Sequence, residues 1–249
     1  GAIWGLFPGL FKAFFNVNEV LTAIMFNWIG MNLVNFLIPN MPRMLDSDWG
    51  ASASDRTAAL ANANPGAILP RLGLDRLFHY SYMNIGIILA IVVSIVMWVI
   101  LKKTTFGYEL RACGQNRHAA KYAGINDKKN IVLSMVIAGA LASAGGALYY
   151  LSGNTEFYWS TYMSLPSEGF NGIPVALLAA NHPIGVIFAG VFMSMLNVAG
   201  LQLKYLTAYN EYIADIIIAT IVYLSAFSMF IKTMLNGKKK NKKVKGGNE

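Results

Sequence analysis

Long apolar runs constrain this chain more than any other feature. Residues 84–101, NIGIILAIVVSIVMWVIL, carry no charge, and residues 20–38 and 131–151 are apolar runs of similar length. A helix of about 20 apolar residues spans the hydrocarbon core and satisfies its own backbone hydrogen bonds there. Only 13% of the 249 residues are charged, whereas soluble domains contain about 25%. The sequence therefore predicts an all-α, polytopic transmembrane helical bundle.

A basic loop separates two of these runs. Residues 102–130, KKTTFGYELRACGQNRHAAKYAGINDKKN, hold seven Lys and Arg side chains against only Glu109 and Asp127. Short loops with such an excess stay on the cytoplasmic side of a membrane. Residues 109–122 are rich in helix formers, and Gly124 stands where a helix would stop. We expect one short helix here, lying parallel to the membrane in the cytoplasm and exposed to a partner.

The formal net charge of +8 has two sources, this loop and the last residues of the chain. A basic tail is expected on the cytoplasmic side, near anionic lipid headgroups, so the charge does not indicate a nucleic-acid partner. A span over residues 213–231 would then run inward. We predict a transmembrane domain over residues 1–235 and a basic cytoplasmic tail over residues 236–249.

Residues typical of catalytic or metal sites are sparse. Cys113 is the single cysteine, and His79, His118 and His182 lie in no metal-ligand spacing. The sequence contains no P-loop, nucleophile elbow or paired-carboxylate arrangement. It therefore predicts neither an enzyme nor a bound cofactor or metal.

Three asparagines lie within the apolar run 20–38, namely Asn27, Asn32 and Asn35. Amides in hydrocarbon need partners, so these side chains should face other helices or a polar path. The sequence leaves both interpretations open. Asn18 is the expected N-cap of this helix, with Glu19 in its first turn.

Small residues mark two faces for close helix contact. Gly1, Gly5 and Gly9 repeat every four residues, and residues 138–146 are dense in Ala, Gly and Ser. Pro8 is expected to bend or end the first helix. Residues 1–11 are too few to span a bilayer, so we expect them to belong to a longer span or a re-entrant piece.

A short apolar piece, residues 170–180, precedes a longer run, residues 184–203. Gly169, Gly172 and Pro174 are expected to interrupt the short piece. A half-helix that meets unwound backbone is typical of transporter sites near the middle of the membrane. We therefore expect a discontinuous helix pair here.

Three motifs resemble one family. GQNRHAAKYAGI, residues 114–125, resembles the cytoplasmic coupling segment of bacterial ABC importer permeases of the branched-chain amino acid, ribose and nucleoside superfamily. Thr105, Gly107 and Arg111 match the pattern upstream of it. EGFNGIPVALLAANHPIGVIFAG resembles a second family block, with Ala179 where glycine is usual. NEVLTAIMFNWI looks most like the nucleoside branch that is linked to basic membrane lipoproteins.

The resemblance implies a type II-like ABC importer permease with a cytoplasmic coupling helix, whose amino-terminal helices are absent from this sequence. It implies an ABC ATPase subunit that binds the ATP, a second permease subunit that is identical or homologous, and an extracellular substrate-binding lipoprotein. The permease would be a multi-pass protein of the cytoplasmic membrane that translocates a small molecule, a nucleoside. The residues expected to couple to the ATPase are Arg111, Gly114, Asn116, Ala119, Ala120, Gly124 and Ile125. Those expected along the translocation path are Asn27, Asn171, Gly172 and Asn197.

Several alternatives remain open. The same importer class could carry a simple sugar or a branched-chain amino acid. An ion-coupled secondary transporter or channel should have acidic residues deep within its spans, and a membrane-embedded enzyme should cluster His, Asp or Glu at one face. The sequence favours neither of these, and a purely structural membrane subunit would not require the basic helix.

Overall fold

The computed structural model describes residues 1–41, 64–71, 84–153, 161–166 and 168–206, together with 45, 57, 60, 159, 213, 216–221, 223, 224 and 227. These residues form helices and turns and include no strand. The α-helices are α1 Ala2–Phe15, α2 Glu19–Leu37, α3 Ile85–Lys103, α4 Thr105–Gln115, α5 Arg117–Tyr122, α6 Asp127–Tyr150, α7 Glu168–Leu178 and α8 Pro183–Leu206, and a 3₁₀ turn covers Pro65–Ala67.

Four of these helices are long and apolar enough to cross a membrane. They are α2, α3, α6 and the Pro183–Gly200 part of α8. The most apolar is α3, with a mean hydropathy of 2.7 and no buried residue in its apolar window. Large aliphatic side chains such as Ile88, Val92 and Val96 are exposed along it, as hydrocarbon-facing side chains are. The predicted spans 20–38, 84–101, 131–151 and 184–203 are confirmed as helices.

The chain divides into two compact units, Gly1–Leu165 and Pro166–Glu249. In the first unit, α1 lies along α6 in the most extensive helix contact of the described residues. Glycines permit this approach, because a Cβ at Gly5 would collide with the Met135 carbonyl oxygen and one at Gly139 would lie 3.0 Å from the Gly5 Cα. The predicted close contact of small residues is confirmed for Gly5, Gly9 and Gly139, whereas Gly145 and Gly146 have open space beside them.

Aromatic rings join α1 to α2. Phe7 stacks on Phe26 with centroids 5.2 Å apart, and the Trp4 Nε1 donates to the Phe26 carbonyl oxygen at 3.2 Å. Asn16 ends α1 with a φ of 53°, and the Asn18 side chain accepts from the Val20 and Leu21 amides, which confirms it as the N-cap of α2.

The proline in α1 does not end that helix. Pro8 lies inside Ala2–Phe15. Proline removes a single backbone donor, and α1 still lies against α6 after it, since a Cβ at Gly9 would lie 3.1 Å from the Met135 Cβ. At 14 residues α1 is about 21 Å long, still shorter than the hydrocarbon core.

In the second unit, α7 and α8 form the expected discontinuous pair of a short and a long helix. The interruption lies after α7, because the helix runs unbroken through Gly169, Gly172 and Pro174. Here too the proline removes only one donor. The break falls instead at Ala180 and Asn181, which have φ values of 50° and 58°.

The predicted span 213–231 lies largely outside the described residues. Position 213 and residues 216–221, 223, 224 and 227 are helical, which agrees with the prediction where it can be compared. The basic tail, residues 236–249, lies wholly outside the described residues. The division into a transmembrane domain and a tail therefore stays a prediction.

Candidate functional site

A tight corner carries the chain from α3 into α4. The Thr104 hydroxyl donates to the Ile100 carbonyl oxygen at 2.6 Å and accepts from the Gly107 amide at 3.1 Å, so it caps α4. Gly107 is buried, and a Cβ there would collide with the backbone of Ile100 and Leu101. Gly107 therefore allows α4 to turn directly against the end of α3.

The expected single helix over residues 109–122 is in fact two helices that meet at Asn116. Asn116 has extended backbone angles of −154° and 103°, and its side-chain oxygen accepts from the Ala119 amide at 3.0 Å. An asparagine in this conformation caps a new helix, since its side chain satisfies a free backbone donor of the first turn. The segment that the sequence predicts to be a coupling helix is therefore a pair, α4 followed by the six-residue α5.

A Schellman motif ends α5. The Gly124 amide donates to the Lys121 carbonyl oxygen at 3.1 Å, and the Ile125 amide donates to the Ala120 carbonyl oxygen at 3.0 Å. Gly124 has a φ of 82°, which disfavours any residue with a Cβ. Ala120 is 4% exposed. Four predicted coupling residues, Asn116, Ala120, Gly124 and Ile125, thus shape α5.

Two polar contacts brace this pair of helices against α6. Arg117 at the start of α5 pairs with Asp127 at the start of α6, Nε to Oδ2, at 2.6 Å. Asn130 is 2% exposed, and its Nδ2 donates to the Glu109 Oε2 and to the Asn126 carbonyl oxygen, both at 3.2 Å. A displacement of α4 or α5 therefore acts directly on the first turn of α6.

The remaining three predicted coupling residues are exposed. Arg111 donates weakly to the Gly107 carbonyl oxygen at 3.4 Å, Ala119 is exposed, and a Cβ at Gly114 would meet no atom within 4 Å. Arg111 and Gly114 also line a cavity of about 370 Å³ at the junction of α3, α4 and α6.

Sequence reasoning overlooked two exposed tyrosines beside these residues. Tyr108 is 63% exposed and Tyr122 is 95% exposed. Aromatic rings exposed outside the apolar spans are a signal that could have identified them. We call seven of the exposed residues of this pair the α4–α5 surface. They are Tyr108, Arg111, Gly114, His118, Ala119, Lys121 and Tyr122.

The second unit contains a small cavity between α7 and α8 that is lined by apolar and polar side chains. Its volume is about 190 Å³, and it brings together two predicted path residues, Asn171 and Asn197. It also contains Ser194, which sequence reasoning missed although its spacing of three from Asn197 places both on one helix face. The rest of its lining is Pro174, Val175, Gly190, Met193 and Ile218. Gly172 is not among the lining residues, and a Cβ there would meet nothing within 4 Å.

The asparagines of α2 have separate roles. The Asn35 amide exchanges two hydrogen bonds with the Tyr162 backbone, at 2.8 and 3.0 Å, so it fastens residues 161–166 to α2. Asn32 donates to the Trp28 carbonyl oxygen of its own helix at 2.9 Å. Asn27 instead lines a mainly apolar groove of about 670 Å³ between α1, α2 and α6, in the first unit. The structure therefore makes Asn35 structural and leaves Asn27 as a path candidate.

Potential metal ligands do not cluster in the described part of the chain. No three His, Cys, Asp or Glu side chains among those residues come together as a metal site would require. Within the four candidate spans the acidic residues are Glu19 and Asp127, each at the first position of its helix. Glu19 pairs with Lys12 at 2.8 Å.

Comparison with known proteins gives matches over most of the chain. The family model described as "Branched-chain amino acid transport system / permease component" matches residues 1–226. The guanosine ABC transporter permease protein NupP of Bacillus subtilis is 35% identical over 240 residues, which cover 96% of this chain and 65% of NupP. The nucleoside ABC transporter permease protein NupB of Lactococcus lactis is 36% identical over 238 residues, or 94% of this chain and 62% of NupB.

A more distant relative has another substrate in its name. The glucose ABC transporter permease protein TsgB13 of Haloferax volcanii is 25% identical over 236 residues, which cover 93% of this chain and 60% of TsgB13. The chain thus spans 60–65% of the length of these three curated relatives. No solved structure matches it.

Proposed function

The chain belongs to the family of permease components of branched-chain amino acid transport systems, and we propose that it acts as the membrane-spanning subunit of an ATP-driven importer of nucleosides. The family is one of transporter permeases and not a catalytic family. Four helices of this chain are long and apolar enough to cross a membrane, which supports a multi-pass membrane protein. The positive charge of loop 102–130 supports a cytoplasmic position for the α4–α5 surface, and the basic tail 236–249 supports the same side for the carboxyl terminus.

The substrate assignment depends on one observation above all. Two relatives that align with 94–96% of this chain at 35–36% identity have guanosine or nucleoside in their names, whereas the glucose relative is 25% identical. The α7–α8 cavity supports the assignment, because its polar groups are amides and a hydroxyl and none is ionisable. A neutral solute with hydrogen-bonding groups suits such a lining. An amino acid zwitterion would need charged partners there.

The α4–α5 surface is the proposed docking site for a separate ATPase subunit, which binds and hydrolyses the ATP. Exposed aromatic side chains and arginine are frequent anchors at protein interfaces, and Tyr122 and Arg111 supply them here. Ala119 and Gly114 are small and permit a close approach. An extracellular lipoprotein would deliver the nucleoside, and a second permease subunit would complete the path.

The braces at α6 provide a route for coupling. A movement of α5 would act on α6 through the Arg117–Asp127 pair, and a movement of α4 would act through Glu109 and Asn130. α6 in turn lies against α1 along Gly5 and Gly9, where close packing lets a displacement pass between helices. Nucleotide binding by the ATPase would thereby change the arrangement of the spans.

Uptake by cells tests the proposed function. Cells with the full-length permease, its ATPase and its lipoprotein should accumulate radiolabelled guanosine, and unlabelled nucleosides should compete. Glucose, ribose or leucine as the effective competitor would contradict the nucleoside assignment. Uptake that persists in cells without the ATPase would instead favour a secondary transporter or channel.

Docking is tested separately by variants of the α4–α5 surface. Ala119→Glu adds bulk and charge, and Gly114→Trp adds a large ring where the permease itself has open space. Both should abolish uptake and capture of the ATPase in a pull-down while the protein still inserts in the membrane. Ala119→Ser is the matched control, since it adds one small atom, and should retain both. Normal uptake by Ala119→Glu and Gly114→Trp would refute the docking assignment.

A further inference from the structure

The α7–α8 cavity carries three polar side chains that have no hydrogen-bond partner among the described residues. Asn171 comes from α7, and Ser194 and Asn197 come from α8. Across the described residues, these three side chains make no hydrogen bond within the protein, whereas Ser134 and Ser143 of α6 bond to their own helix. Asn171 and Ser194 are exposed and Asn197 is half-buried, so within a membrane their polar groups still need partners. Three such groups on one cavity indicate a ligand that supplies these partners.

One face of α7 and one face of α8 line the cavity. On α8 the lining residues are Gly190, Met193, Ser194 and Asn197, spaced as one helical face. On α7 they are Asn171, Pro174 and Val175, which also share a face. A Cβ at Gly190 would lie 3.9 Å from the Val175 Cγ1, at ordinary contact distance, so the missing side chain leaves part of the cavity open.

The lining mixes apolar side chains with amides in a way that fits a flat heterocycle. Pro174, Val175, Met193 and Ile218 offer apolar surface and a thioether to the faces of an aromatic ring. A carboxamide holds a donor and an acceptor side by side, so it pairs with two neighbouring groups on the edge of a base. A ribose has hydroxyls around its ring, and some of them would point at apolar side chains without a partner.

The volume of the cavity is sufficient for only one part of a nucleoside. At about 190 Å³ it is smaller than the roughly 300–1,000 Å³ of pockets that enclose a whole drug-sized molecule. It has room for one part of a nucleoside but not for the whole.

We propose that the α7–α8 cavity recognises the hydrogen-bonding edge of the nucleobase, with Asn171, Ser194 and Asn197 as the groups that contact it. This inference rests on the nucleoside importer proposed above and assigns the base, and not the ribose, to this cavity. It makes Ser194 a specificity-determining residue of the permease.

Ligand binding to the full-length permease–ATPase complex in lipid nanodiscs, without the lipoprotein, tests the assignment. The probes are tritiated guanosine and tritiated purine riboside, a nucleoside whose base has no exocyclic amino or carbonyl group. Ser194→Ala and Asn197→Ala should weaken guanosine binding roughly 2- to 10-fold each, the effect of one lost neutral hydrogen bond. Both variants should weaken purine riboside binding by a smaller factor, because its base retains only ring-nitrogen acceptors.

Two further variants control for the fold and the shape of the cavity. Gln202→Ala removes an exposed amide of α8 that does not line the cavity, and should change neither affinity. Gly190→Ala adds a methyl group at ordinary contact distance from Val175, so the helices keep their places while the cavity narrows. It should weaken guanosine and purine riboside by the same factor.

The outcomes separate the inference from the proposed function. If Ser194→Ala and Asn197→Ala weaken both nucleosides equally, or weaken neither, the base assignment is wrong while the nucleoside importer stands. Strong competition by free ribose against guanosine would likewise place the sugar in the cavity. If the wild-type complex binds no nucleoside but binds glucose or leucine, both the proposed function and this inference fail.

Discussion

Gly124 gives the sharpest test of how the α4–α5 pair is built. Its φ of 82° costs a residue with a Cβ about 1–2 kcal/mol, and a Cβ there would touch no atom within 4 Å. Gly124→Ala should therefore lose stability through backbone strain alone. Because the Schellman motif depends on this conformation, the cost falls on the end of α5.

Gly114 is the matched control. A Cβ there also meets nothing within 4 Å, but Gly114 lies inside the helix α4. Gly114→Ala should stabilise α4 by at most about 1 kcal/mol, since alanine loses less conformational freedom than glycine in a helix. The two substitutions add the same methyl group in open space and are expected to have opposite effects.

Hydrogen–deuterium exchange of the full-length permease in nanodiscs measures both effects. In Gly124→Ala the amides of residues 123–126 should exchange about 5- to 30-fold faster, the factor that corresponds to 1–2 kcal/mol. Exchange in α4 should slow slightly in Gly114→Ala. Gly124→Asn should fall between wild type and Gly124→Ala, because asparagine tolerates this conformation. Unchanged exchange at residues 123–126 in Gly124→Ala would refute the strain reasoning.

Three further substitutions test the packing, each by the free energy of unfolding of the full-length permease in detergent. Asn35→Ala removes two hydrogen bonds to the Tyr162 backbone and should lower the free energy of unfolding by about 1–3 kcal/mol. Asn32→Ala removes one bond within its own helix and should lower it by less than about 1 kcal/mol. Equal losses would show that the Asn35 bonds do not hold residues 161–166 to α2. Gly5→Leu should lower the free energy of unfolding by at least about 1–3 kcal/mol, because α1 must move away from α6. Gly146 has open space beside it, so Gly146→Leu should be tolerated. A tolerated Gly5→Leu would exclude the close contact. Ala180→Gly should raise the free energy of unfolding by about 0.5–1 kcal/mol, because glycine adopts the φ of 50° without strain. An unchanged free energy of unfolding would show that the turn is unstrained.

Much of the fold follows from the sequence because hydrocarbon imposes a simple rule. Spans must be long and apolar, so the apolar runs 84–101 and 131–151 predict helices directly. Polar caps such as Asn18 then indicate where a helix begins. The glycine repeat of α1 predicted a close helix contact for the same reason, since only small residues allow it.

Local breaks were harder to predict than spans. Asn116 divides the expected coupling helix because its side chain caps the next turn, a competition that helix propensity does not reveal. Pro8 and Pro174 were expected to interrupt helices, yet each lies inside one. Ala180 adopts a left-handed conformation that its residue type does not indicate.

The site residues were only partly predictable, because a sequence motif contains residues that shape a helix as well as residues that are exposed to a partner. Asn116, Gly124 and Ile125 match the family motif, and in the structure they shape α5. The exposed Tyr122 is not one of the motif positions. Proximity in space was also beyond the sequence. Asn171 and Asn197 share a cavity with Ser194, whereas Asn27 lines a groove in the other unit.

ATP-dependent uptake by proteoliposomes tests the central claim most directly. The vesicles would contain the full-length permease and its ATPase, with ATP inside and the lipoprotein loaded with labelled guanosine outside. We predict uptake that requires enclosed ATP, that unlabelled nucleosides inhibit, and that Ala119→Glu abolishes while Ala119→Ser retains it. Uptake without ATP, or inhibition by glucose or leucine in place of nucleosides, would contradict the assignment of this chain as the permease of a nucleoside importer.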